Sequence, residues 1–199
     1  SPGSSFNEPG VKFSGRKRYS ATTFGKTSDG KSYKPLVRTY IGANPSFFNK
    51  KIENGIKLKD FHTTVVGYTR GINPTLISDI AQSFKSLAYA YEAVFGEKIK
   101  INDSFRSFNE QIKTKNNKIA EGKPRQAASP GRSNHGWGMA FDFSTSDSKG
   151  KSGFESEIYK WMFQNAPRYG FHNPSWARPN GSNPEAWHFE WKNPGKLFK

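Results

Sequence analysis

The sequence predicts an α+β fold: a small, mainly antiparallel sheet with helices on its apolar face and polar side chains on the other. Three patterns point to it. Two segments, 138–144 and 187–191, alternate apolar and polar residues with the period of two that marks a half-buried strand. A longer segment, Leu76 to Phe95, repeats apolar residues at the three-to-four spacing of an amphipathic helix. Glycine and proline interrupt the chain between these segments, at Gly96, across 122–131 and from Pro167 to Gly170.

The first helix is expected to follow Asn73 and Pro74, with Asn73 as cap and Pro74 at the first helical position, and to end at Gly96. Its apolar face is Leu76, Ile77, Ile80, Phe84, Leu87, Ala88, Tyr91, Val94 and Phe95. Ile99 and Ile101 then alternate as a short strand leading into Ser104, Phe105, Arg106 and Ser107, and a more polar helix runs through Ile112 and Ile119. In 138–144, Met139, Phe141 and Phe143 fall on one side and Gly138, Ala140 and Asp142 on the other. A third helix is expected from Phe154 to about Ala166, with Ile158, Trp161 and Met162 inward. The last strand puts Trp187, Phe189 and Trp191 on one face, read as core, and His188 and Glu190 on the opposite one.

Before this domain, taken as 61–199, residues 1–10 have the small, polar composition of a linker or cloning remnant. Residues 11–60 read as a basic N-terminal extension with strand candidates at Tyr33 and 36–41, and the Gly15 to Arg18 run reads as an exposed turn. In a chain only 33% hydrophobic, seventeen Phe, eight Tyr and five Trp supply the burial that aliphatic residues do not. No stretch approaches the ~20 apolar residues of a membrane span, and the first ten residues lack the apolar stretch of a secretory signal. With no cysteine, disulfides and thiolate metal ligands are excluded. The net charge of +15 favours polyanions, whether nucleic acid, anionic lipid or acidic wall polymer, and also suits a plain solvated surface.

The chemistry gathers on the polar side of the two alternating segments. His135, Asp142 and His188 form a set of two imidazoles and one carboxylate. Such a set suits zinc and leaves the fourth tetrahedral position for water, as catalytic sites do, whereas structural sites close with four protein ligands. Glu185, three residues before His188 and just after Pro184, is placed to serve as general base for a water activated by zinc. Arg106, directly after a strand, offers a cation for an oxyanion. Trp137 lies between two glycines in the loop that carries His135 and is a candidate to border a substrate cleft. Gly136 and Gly138 answer backbone demands instead. His62 and His172, without ligand-spaced neighbours, receive no role.

Residues 133–142 read S-x-H-x-x-G-x-A-x-D, and Glu185 to His188 read E-x-W-H. Together they resemble the LAS metallopeptidases, the group of VanY-type D-Ala-D-Ala carboxypeptidases, D-Ala-D-Ala dipeptidases and phage L-alanyl-D-glutamate endolysins. Ser104 to Ser107 with Gln111 is similar to that family's S-x-x-R-S and following Gln. The likeness runs from about Asn73 to Trp191. It implies a LAS/hedgehog-like fold, a Zn2+ cofactor held by His135, Asp142 and His188, Glu185 as base, Arg106 at the tetrahedral intermediate, and Ser133 and Gln111 on the substrate side.

The expected function is therefore zinc-dependent hydrolysis of peptide bonds in bacterial peptidoglycan stem peptides, at the cell wall. A lytic endopeptidase of endolysin or tail-associated type is favoured by the charge and the basic extension, with a D-Ala-D-Ala carboxypeptidase as the alternative. Anionic wall polymers are expected partners, attracted by a field that salt weakens. The competing class is a basic binding module for wall polymer or nucleic acid, in which zinc is structural.

Overall fold

The computed structural model describes residues 11–13, 19–21, 25–33 and 62–193. The strand candidate at 36–41 and the Gly15 to Arg18 run lie outside them. In chain order the strands are β1 (Val11–Phe13), β2 (Tyr19–Ala21), β3 (Gly25–Lys26), β4 (Ser32–Tyr33), β5 (His62–Thr64), β6 (Thr69–Gly71), β7 (Thr75–Ile77), β8 (Ile99–Asp103), β9 (Ala140–Phe143), β10 (Phe171–His172) and β11 (His188–Trp191). The helices are α1 (Ser78–Phe95), α2 (Phe108–Ala120) and α3 (Glu157–Asn165). No helix among the described residues is long and apolar enough to cross a membrane.

The chain divides into two compact units, one of residues 1–62, 106–137 and 194–199, the other of 63–105 and 138–193. The second holds a five-stranded sheet in the order β10, β11, β9, β8, β6, antiparallel throughout except for the parallel β6 and β8. The mainly antiparallel sheet read from the alternation is thus present. Phe141, Phe143 and Phe189 are buried on one face. Phe84 of α1 meets Phe141 edge-on at 5.1 Å, and Tyr159 of α3 meets Phe189 at 6.3 Å, so both helices cover that face. Burial of large rings in edge-to-face contact supplies the core that the sparse aliphatic residues cannot.

Helix α1 begins four residues later than expected. Residues 75–77 are strand, because tertiary hydrogen bonds claim their backbone: Thr75 N donates to the Ser104 hydroxyl (3.0 Å), Thr75 O accepts from Phe105 N (3.1 Å) and Ile77 N donates to Gly138 O (2.8 Å). Asn73 therefore caps nothing, and Ile77 precedes the helix without a side-chain cap. The far end is as read: Gly96 takes the left-handed conformation (φ 71°) and donates to Glu92 O. Helix α3 starts at Glu157, capped by the Ser156 hydroxyl, because a 3-10 turn occupies Gly153–Glu155. Ile158 and Met162 are buried as expected, while Trp161 is half-buried with its ring 5.8 Å from Phe95.

Two core assignments are corrected, the first being Val94, read into the apolar face of α1 but 57% exposed near its C-terminal end. The second is Trp187, 44% exposed rather than buried with Phe189. The chain turns as it enters β11, with His188 N donating to Glu185 O (3.3 Å), and that turn sends residue 187 outward before the alternation begins.

In the first unit β1 pairs with β2 and β3 with β4, both antiparallel. Helix α2 opens with a full capping box: the Ser107 hydroxyl accepts from Glu110 N (3.0 Å) and the Glu110 carboxylate accepts from Ser107 N (3.1 Å).

Candidate metal centre

The site starts from strand register. On β9 and β11, Asp142 stands directly across from His188 and Phe141 across from Phe189, so the same pairing that stacks phenyl rings on one face sets carboxylate against imidazole on the other. Asp142 Oδ1 lies 3.1 Å from His188 Nδ1, and Glu185 Oε2 lies 4.0 Å from the same nitrogen. Across the ring, Glu190 Oε2 lies 3.3 Å from Nε2. Burial alone would depress the His188 pKa, yet the hydrogen bonds to Asp142 and Glu190 and their negative charge outweigh it and push it up to about 10. Without a metal, the site therefore keeps a proton on this imidazole.

The second imidazole of the set comes from a 3-10 turn, Asn134–Trp137. His135 is buried; its N–H donates to the Ser133 hydroxyl (3.2 Å) and its carbonyl accepts from Arg106 N (3.0 Å). One ligand atom from each of His135, Asp142 and His188 falls within 4.8 Å of the others, compact enough for all three to reach one ion. Two imidazoles and a carboxylate are donors that zinc accepts at about 2.0–2.2 Å, so the residues present fit that ion.

Glu185 occupies the turn before β11. Its N–H donates to Ala177 O (2.8 Å), and its Oε1 accepts from Asn183 Nδ2 (3.1 Å). Gly181 is required nearby for close approach, since a Cβ there would fall 2.1 Å from the Trp176 carbonyl. In the first unit, Arg106 donates from Nη1 to Gln111 Oε1 (2.8 Å), and Gln111 Nε2 donates to Ala128 O (2.8 Å). Gln111, expected on the substrate side, is 2% exposed and spends its amide orienting that guanidinium. Trp137, expected to border a cleft, is likewise buried at 2% exposure.

Three features were not found by sequence reasoning. Asn173, buried in the loop before β11, donates from Nδ2 to both Glu185 O (3.1 Å) and His188 O (2.9 Å) and accepts from the Tyr159 hydroxyl (2.9 Å). It clamps the turn that carries Glu185 and leads into His188. Trp176, 36% exposed, sets its ring 5.0 Å from the His188 imidazole as an apolar wall of the site. Glu190 shares the His188 face in the alternation, and only the folded chain brings it to Nε2. Asn173 and Trp176 lie in a loop with no periodicity, so no sequence signal marked them.

Residues 73–194 match the family pattern described as VanY, D-alanyl-D-alanine carboxypeptidase. Solved structures of similar fold include VanYB in complex with D-alanine-D-alanine, 20% identical over 79% of this chain and 81% of that one, TM-score 0.52. The LdcB LD-carboxypeptidase is 23% identical over 69% of this chain and 71% of its own, TM-score 0.53. A VanY D,D-pentapeptidase variant from a VanB-type vancomycin resistance cassette, in complex with Zn(II), is 22% identical over 65% and 77%, TM-score 0.50. At these identities the likeness is one of fold. Among curated proteins none matches the chain.

Proposed function

The chain belongs to the VanY family of D-alanyl-D-alanine carboxypeptidases, and from that membership we propose that it is a zinc-dependent peptidase removing the terminal D-alanine from peptidoglycan stem peptides. The observation that carries the reading is the convergence of His135, Asp142 and His188 to within 4.8 Å, with the Glu185 carboxylate 4.0 Å from His188 Nδ1. In this reading those three residues are the metal ligands. Bound there, zinc supplies a Lewis acid that polarises the scissile carbonyl and lowers the pKa of water towards ~7.

The chain's own residues do the rest. Glu185 takes the proton from the attacking water and passes it to the leaving amine, so that one carboxylate serves both halves of the hydrolysis. Asn183 holds its Oε1 and fixes which oxygen turns towards His188. Arg106, its guanidinium held by Gln111, offers positive charge where the carbonyl oxygen becomes an oxyanion. Ser133 shapes the turn of His135 and stands on the substrate side, and Trp137 is buried at the end of that turn. Trp176 supplies apolar surface beside the ligand.

The terminal dipeptide is supported by the family description and by VanYB, whose structure holds D-alanine-D-alanine. The endopeptidase reading rests on the +15 charge and the basic residues of 11–60 and is the second outcome of the same experiment. The enzyme would act at the cell wall, where acidic polymers concentrate a basic protein.

Stem pentapeptide and purified peptidoglycan are incubated with the zinc-loaded protein, with and without chelator, and the products identified by mass spectrometry. Release of free D-alanine, abolished by chelation, is expected. New internal termini would replace the carboxypeptidase by the endopeptidase, and intact substrate in the presence of bound zinc would leave a binding module.

A further inference from the structure

Glu190 takes no part in the chemistry above, yet it is 8% exposed and its Oε2 lies 3.3 Å from His188 Nε2. A buried carboxylate is costly unless it is hydrogen-bonded, so its placement against one particular ring nitrogen has a consequence for that ring. A neutral imidazole carries its proton on one nitrogen and its lone pair on the other. An ionised carboxylate can only accept; with Asp142 engaged as a metal ligand, Glu190 is the carboxylate left to hold a proton on the ring, on Nε2, and the lone pair falls on Nδ1. That nitrogen is the one facing Asp142 Oδ1 at 3.1 Å. The strand fixes the arrangement: His188 and Glu190 are two residues apart on β11 and so share its polar face, with Glu190 across from Ala140 on β9 and His172 on β10.

We propose that Glu190 is a positioning residue that locks His188 in the Nε2-protonated tautomer, so that His188 binds the metal through Nδ1. The inference rests on the metal-centre reading above. Its physical basis is general: a ligating imidazole whose second nitrogen donates to a carboxylate is oriented and made more basic, and loss of that carboxylate typically weakens metal affinity about ten- to a hundredfold. Glutamine at position 190 keeps the size but loses the charge, and its amide can donate to Nε2 as readily as accept from it, which removes the discrimination between tautomers.

Two measurements test this. Zinc affinity of the full chain and of Glu190→Gln is measured by competition with a chromophoric chelator; about a ten- to a hundredfold loss is expected, and a loss under twofold would overturn the proposal. Nitrogen-15 NMR of the histidine rings in the zinc-loaded unsubstituted protein needs no variant to fold, and it should show His188 protonated at Nε2 and ligated at Nδ1. Ligation through Nε2 overturns the proposal while leaving the metal centre intact, whereas failure of the unsubstituted protein to bind zinc overturns the metal centre itself.

Discussion

The two faces of β9 and β11 share one backbone register and obey different rules. On one, Phe141, Phe143 and Phe189 are buried against α1 and α3, and what matters there is volume. On the other, Asp142, His188 and Glu190 are also largely buried, and what matters is which atom faces which. The apolar face should therefore answer to mutation in stability and the polar face in chemistry, a separation that single substitutions put to the test.

The largest effect is expected on the polar side. Glu185→Gln should lower kcat/KM on stem peptide by about a hundredfold to ten-thousandfold, the range for losing a general base, with zinc stoichiometry unchanged by metal analysis. Loss of zinc together with activity would show that Glu185 helps build the site and not only run it. On the apolar side, Phe141→Ala should cost about 3–5 kcal/mol in urea unfolding, as for other large rings removed from a packed core. Retention of full stability there would mean that the sheet does not depend on this face.

Asn173→Ala blurs the separation, because Asn173 belongs to the core by burial and to the site by the carbonyls it holds. Leaving those carbonyls without its amide should cost about 1–3 kcal/mol, and it should also lower kcat by freeing the Glu185 turn. Denaturation and steady-state kinetics on the same preparation check both.

A gentler effect is expected with pH in chelated protein. The His188 pKa is raised to about 10 from an ordinary 6.5, so its protonation stabilises the fold fully below 6.5, and that contribution is lost as pH rises through about 10. The melting temperature of chelated protein should fall across that window. Zinc displaces the proton, so loaded protein should melt higher and lack this decline. The smallest effect belongs to Trp187, whose side chain points outward: Trp187→Ala should change stability by no more than about 0.5 kcal/mol.

Several features were legible because they depend on local physics. Alternation in 138–144 marked β9 and placed Asp142 opposite its phenyl rings, and the αL requirement at Gly96 ended α1 where expected. The start of α1 was not legible. Thr75 and Ile77 satisfy their backbone groups on Ser104, Phe105 and Gly138, partners distant in sequence, and no local cap signal reports that. Trp187 was misplaced because alternation was extended one residue past the strand, into a turn that the Glu185 carbonyl creates.

By itself, the sequence determined which residue types were available for metal chemistry and on which face of each strand they fall, because side-chain direction in an extended chain follows from a period of two. It likewise determined the family, whose pattern residues 73–194 match. It took the folded chain to set which nitrogen of His188 meets Asp142 and which meets Glu190, to secure the Glu185 turn through Asn173, and to place Trp176 beside the imidazole. Those contacts join residues from separate strands and an aperiodic loop, and cross-chain distances are set by packing rather than by any local preference of the backbone.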